Sequence, residues 1–174
     1  MASHGIRFAE GLQVVPLYAP KTTTAASETE HVKLENLHWL TFIVMADTEC
    51  GSATSTHNIY VKSTTAEGST AAGDYALPFW YREAVVATDN WGDITAVTTA
   101  TGYAQFDASD DEPCILIDLD PSVIPSHDSD ATHVYLDMTT VGDGATDICR
   151  ISVVGVFEPR YPQVEQKSSS AAAT

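Results

Sequence analysis

The side chains best able to do chemistry lie in the second half of the chain. Asp107, Asp110, Asp111 and Glu112 crowd one segment, Asp118 and Asp120 follow at alternate positions, and His127, Asp128, Asp130 and His133 come next. A hard cation such as Ca²⁺ needs six to eight converging oxygens. No segment carries the EF-hand spacing, and Asp143-Gly144-Ala145-Thr146-Asp147 is too sparse to replace it. His127 and His133 flank two aspartates, but their spacing spans a loop and the start of a strand, a poor frame for tetrahedral zinc. Asp118 and Asp120 fall on one side of a strand, as a general acid/base pair can. Pro121 follows at once, so two exposed acids at a strand end account for them equally well. The serine-hydrolase elbow, the zincin helix, the P-loop and the dinucleotide fingerprint are all missing. No catalytic, cofactor-binding or metal-binding residue is therefore assigned, no cofactor is expected, and the chain reads as a non-enzyme.

Trp80, Tyr81 and Trp91 could offer flat apolar faces to a sugar, or fill a sandwich core. Cys50, Cys114 and Cys149 form no C-x-x-C pair and leave one over, as in a chain made in a reducing compartment. Cys114 and Cys149 sit in apolar tracts and read as small buried hydrophobes.

Charge narrows the partners. Eight Lys+Arg against 24 Asp+Glu give a net charge of -16 among 174 residues, and no Lys or Arg occurs between Arg82 and Arg150. Phosphate backbones and anionic membranes both demand basic clusters, so neither nucleic acid nor a membrane surface is an expected partner. The acidic interval reads as a solvated face or as a docking surface for a basic partner. A secretory leader is not expected, because Met1 to Arg7 lacks an apolar region. Hydrophobic residues at 44 % and charged ones at 18 % are enough for a folded core.

These residues must be positioned by strands. Short apolar runs alternate with loops rich in Gly, Thr and Asp, and no amphipathic helical period stands out. Leu34 to Met45 populates both faces, which predicts a central strand covered on both sides. Further strands are expected at Ile59–Val61, Tyr75–Tyr81 (an edge strand, or one kinked at Pro78), Ile94–Val97, Gly102–Phe106, Cys114–Leu119, His133–Met138 and Cys149–Phe157. Val134, Leu136 and Met138 are expected to point inward. About eight strands predict an all-β, jelly-roll-like sandwich or barrel over residues 32–160. Residues 1–31 read as an N-terminal arm and linker, and 161–174 as a flexible tail.

The segments Tyr75-Ala76-Leu77-Pro78-Phe79-Trp80, Ile115-Leu116-Ile117-Asp118-Leu119-Asp120, Ile151-Ser152-Val153-Val154-Gly155-Val156-Phe157 and Glu158-Pro159-Arg160-Tyr161-Pro162-Gln163 stand among loops rich in Thr, Ala and Asp. In this texture, from about Leu34 to Gln163, the chain resembles the capsid decoration (cement) proteins and related small head proteins of tailed bacteriophages. The resemblance implies a virion protein made in the host cytoplasm that binds the major capsid protein on the outside of the shell. It also implies a homo-oligomer, with a trimer favoured, and brings no catalytic residues. A carbohydrate-binding jelly roll, on a virion or secreted, is the alternative.

Overall fold

The computed structural model describes residues 12–23, 26–46, 55–67, 75–85, 90–98, 102–105, 114–142 and 149–159. Thirteen strands and one 3-10 helix lie among the described residues. The long strands are β1 (Gln13–Thr23), β4 (Leu37–Ala46), β5 (Ser55–Thr64), β7 (Phe79–Val85), β11 (Cys114–Leu119), β12 (His133–Gly142) and β13 (Cys149–Pro159). Shorter ones are β2 (Ser27–Glu28), β3 (Val32–Lys33), β6 (Tyr75–Ala76), β8 (Asn90–Trp91), β9 (Thr95–Val97) and β10 (Ala104–Gln105).

All recorded pairings are antiparallel, and they form two sheets. The seven-stranded sheet runs β1-β13-β4-β11-β7-β8 with β9 beside β7; the six-stranded sheet runs β10-β5-β12-β2, with β3 on β12 and β6 on β5. Their inner faces share one core, in which Leu40, Phe42, Val44, Ile117 and Val153 of one sheet join Ile59, Val61, Val134, Leu136 and Met138 of the other. The expected all-β sandwich is what the chain forms.

Local chemistry explains where the chain changes sheets. Between β3 and β4 a turn closes by the Leu37 N–H donating to the Leu34 carbonyl at 3.2 Å. Asn36 takes the left-handed conformation there, at φ 65°, which asparagine tolerates better than most residues. Leu77-Pro78 is a second corner, from β6 in one sheet to β7 in the other, at the proline that cannot donate to a ladder. The 3-10 helix Pro121–Ser126 is a third, between β11 and β12.

One part of the sequence reading changes. Residues 13–23, assigned above to an arm, form the edge strand β1, paired with β13 from Gln13↔Phe157 to Thr23↔Cys149. Leu17 and Tyr18 are buried in the core. Gly155 of β13 makes the room: a Cβ there would stand 2.7 Å from Leu17 Cδ1 and from Phe157 Cζ. The polar run that follows is anchored too, because the Glu30 N–H donates to the Leu17 carbonyl at 2.8 Å and the Thr29 N–H to the Leu136 carbonyl at 3.0 Å. The tail at 161–174 lies outside the described residues.

Candidate interaction surfaces

The two outer faces of the sandwich differ in chemistry. On the six-stranded sheet, alternation turns His133, Tyr135 and Asp137 outward, opposite Thr64, Lys62 and Tyr60. These groups satisfy one another. His31 stacks on Tyr135 at 4.5 Å, Lys62 pairs with Asp137 at 2.5 Å, and His133 Nδ1 lies 2.8 Å from the Thr132 hydroxyl. Tyr135 is 1 % exposed. Lys62, Asp137 and Tyr60 are half-buried, so among the described residues this face shows paired polar groups to its surroundings.

The outer face of the seven-stranded sheet is apolar. One cross-strand row reads Pro16, Val154, Ile43, Leu116, Arg82, and the next Val14, Val156, Thr41, Asp118, Trp80, Ala96. A third sets Ser152, Met45 and Cys114 side by side. Val14 is 50 %, Met45 42 %, Trp80 40 % and Trp91 43 % exposed. Charges on this face balance. Arg82 stands 5.4 Å from the Trp91 ring, Arg150 is exposed, Asp118 accepts from the Thr41 hydroxyl at 2.5 Å, and Glu158 lies opposite Trp39.

The face corrects three expectations. β4 is central, but only its core side is fully covered: Ile43 is half-buried and Met45 exposed. Trp80 and Trp91 do not fill the core, and Tyr81 only packs against its margin. Cys114 is half-buried on the outer face, where burial raises its thiol pKa above the usual value, so the unreactive thiol dominates. Cys50, and the side chain of Cys149, lie outside what is described.

The acidic candidates separate. Asp118 belongs to the outer face, whereas Asp120 caps the 3-10 helix by accepting from the Ser122 N–H at 2.8 Å. His127 is exposed at that helix's far end. Asp128 is buried and accepts from the Ser63 hydroxyl at 2.7 Å and the Asp130 N–H at 3.3 Å, fastening the loop to β5. Ser63 points to the core and His133 away from it, so serine, aspartate and histidine do not align for nucleophilic catalysis. Among the described residues no group of three or more His, Cys, Asp or Glu side chains could hold a metal ion. Asp107, Asp110, Asp111, Glu112, Asp143 and Asp147 lie outside the described residues.

A cleft of about 860 Å³ runs beside β1, lined by Tyr18, Lys21, Glu28, Glu30, His31 and Glu67 among others. Lys21 is already engaged, its Nζ 4.4 Å from the centre of the Tyr18 ring. No helix among the described residues is long and apolar enough to cross a membrane.

No protein-family model matches the chain, and the search of curated proteins returns no match. Among solved structures the chain is similar to the SPBc2 prophage-derived protein YomS, with a TM-score of 0.37 and 12 % identity over 84 % of this chain and 91 % of that one.

Proposed function

We propose that the chain is a non-enzymatic structural protein of a tailed-phage virion, a decoration protein held on the outside of the head. The carrying observation is the apolar outer face of the seven-stranded sheet on a chain of net charge -16. A chain this acidic has ample charge to cover its surface, so a row of exposed Val, Met and Trp marks a surface that meets another protein. The sequence resemblance supplies the kind of partner, the major capsid protein. Mixing the purified protein with undecorated heads of the phage that encodes it, followed by co-sedimentation, tests the reading. Saturable binding with increased resistance of the heads to heat is expected; heads that sediment bare at saturating protein refute it.

A second reading has its own observation. Trp80 and Trp91 are both exposed with Arg82 on the same face, an aromatic platform of the kind that stacks on sugar rings. Glycan-array binding abolished by Trp80→Ala or Trp91→Ala would favour a carbohydrate-binding module over the shell protein.

A further inference from the structure

We infer that the outer face of the seven-stranded sheet is a self-association surface, on which a second copy of this chain packs face to face about a two-fold axis. The inference rests on the reading of that face as a docking surface, but gives it to a second copy of the chain, so that the dimer would meet the shell through its remaining surfaces.

Sheets can meet at edges or at faces, and β1 is built to refuse the edge. Pro16 and Pro20 lack N–H donors, and the pairing of β1 with β13 shifts register between Pro16 and Tyr18 and again between Tyr18 and Lys21. The Leu17 carbonyl already accepts from Glu30 within the same chain. Prolines, bulges and covered carbonyls are the means by which edges avoid another strand. A neighbour that approaches this sheet from the β1 side is left with its face.

Charge selects the partner. Two chains of net charge -16 repel each other wherever their acidic surfaces meet. Among the described residues of this face Arg82 and Arg150 offset Asp118 and Glu158, so copies that meet here bring together strands whose described charges balance. A basic partner would find more attraction elsewhere, for instance at the Glu28, Glu30 and Glu67 side of the β1 cleft. Size allows it. The ten apolar positions of the three rows, with strands about 4.8 Å apart and rows about 6.8 Å apart, give an apolar centre of roughly 330 Å². A standard interface takes about 800 Å² from each partner, with an apolar centre and a polar rim. Arg82, Arg150 and Glu158 at the margins of the band supply part of that rim, while Thr41 and Asp118 within the band are hydrogen-bonded to each other. A patch that binds its own copy is isologous, which yields a two-fold dimer.

Sedimentation equilibrium of the full-length protein from about 1 to 300 µM tests this, with Met45→Lys and Val14→Asp as variants. Both residues are exposed in the single chain, and thermal melts at low concentration check that each variant folds. A reversible monomer–dimer equilibrium is expected, weakened about tenfold or more by either substitution. Raising NaCl from about 0.05 to 0.5 M should tighten it about threefold, since salt screens the repulsion between the chains. A monomer throughout the range, a trimer, dimers indifferent to both substitutions, or dimers loosened by salt would each overturn the inference. Head binding is scored separately: a monomer that decorates heads, losing that binding with the same substitutions, assigns the face to the shell and leaves the proposed function standing. Dimers that ignore heads sink the function and leave the dimer.

Discussion

Gly155→Ala probes whether β1 is part of the core. The added methyl would stand 2.7 Å from Leu17 Cδ1, 2.7 Å from Phe157 Cζ and 2.8 Å from Phe157 Cε1. Carbon atoms pack best at about 3.5–4.0 Å, so each neighbour must retreat by roughly 0.8 Å. Leu17 and Phe157 are both 1 % exposed and have packed neighbours behind them. Overpacking of this kind costs about 1–3 kcal/mol. Restricting the unfolded chain by replacing glycine returns about 0.4–1 kcal/mol. The net loss is roughly 1–2 kcal/mol, a fall in melting temperature of about 2–8 °C for a chain of this size. Urea unfolding of the wild type, Gly155→Ala, Leu17→Ala and the double variant closes a thermodynamic cycle. Leu17→Ala alone should cost about 2–5 kcal/mol by leaving a cavity. In the double variant the new methyl occupies part of that cavity, so the two losses should fall short of additivity by about 1 kcal/mol. Losses additive within about 0.5 kcal/mol would mean that the two side chains do not meet, and that β1 is not seated in the core.

Asp128→Ala should cost about 1–3 kcal/mol in denaturant unfolding, because it removes the buried bond from the Ser63 hydroxyl that fastens the loop to β5; Asp128→Asn, which keeps an acceptor, should cost less. Burial holds the His133 imidazole below its usual pKa, against the pull of Glu67 and with the help of His31 and Lys33. The fold therefore binds fewer protons than the unfolded chain, so stability should fall as pH drops through about 6.5, and His133→Gln should flatten that part of the pH profile. Trypsin should cut the native chain at Lys21 far more slowly than the unfolded chain, since Lys21 pairs with Ile151 across β13; equal rates would refute that pairing. Leu136→Ala should cost about 2–5 kcal/mol against about 1 kcal/mol or less for Cys114→Ala, as calorimetry can check, because Leu136 is buried in the core and Cys114 lies outside it.

Much of the fold is legible in residue order because period two survives wherever one sheet face is polar. Val134, Leu136 and Met138 point inward as their alternation with Tyr135, Asp137 and Thr139 requires. Cys114–Leu119 appears with the bounds its turn signals give, ended by Asp120-Pro121. β1 is legible only in part: Leu12–Tyr18 has strand character, but Pro20 and the polar run after it read as a linker, although an edge strand accommodates proline. Its two register shifts also blur the alternation that would have revealed it. Asp128 could not be distinguished from its acidic neighbours, because its partner Ser63 lies 65 positions away and only the fold brings them together.

The outer face escaped for a different reason. In β4 and β13 the outward positions Ile43, Met45, Val154 and Val156 are as apolar as the inward Phe42, Val44, Val153 and Phe157. Such a run is what a strand buried on both faces looks like, and it predicts one. Burial inside the domain and burial under a partner make the same demand on side chains. Sequence reports that both faces of the strand avoid water without saying which molecule excludes it. Here the second sheet covers the inward set, while Val14, Met45, Trp80 and Trp91 stay at least 40 % exposed. A second protein over these outward positions, as proposed above, would make on Ile43, Met45, Val154 and Val156 the same demand that the second sheet makes on Phe42, Val44, Val153 and Phe157.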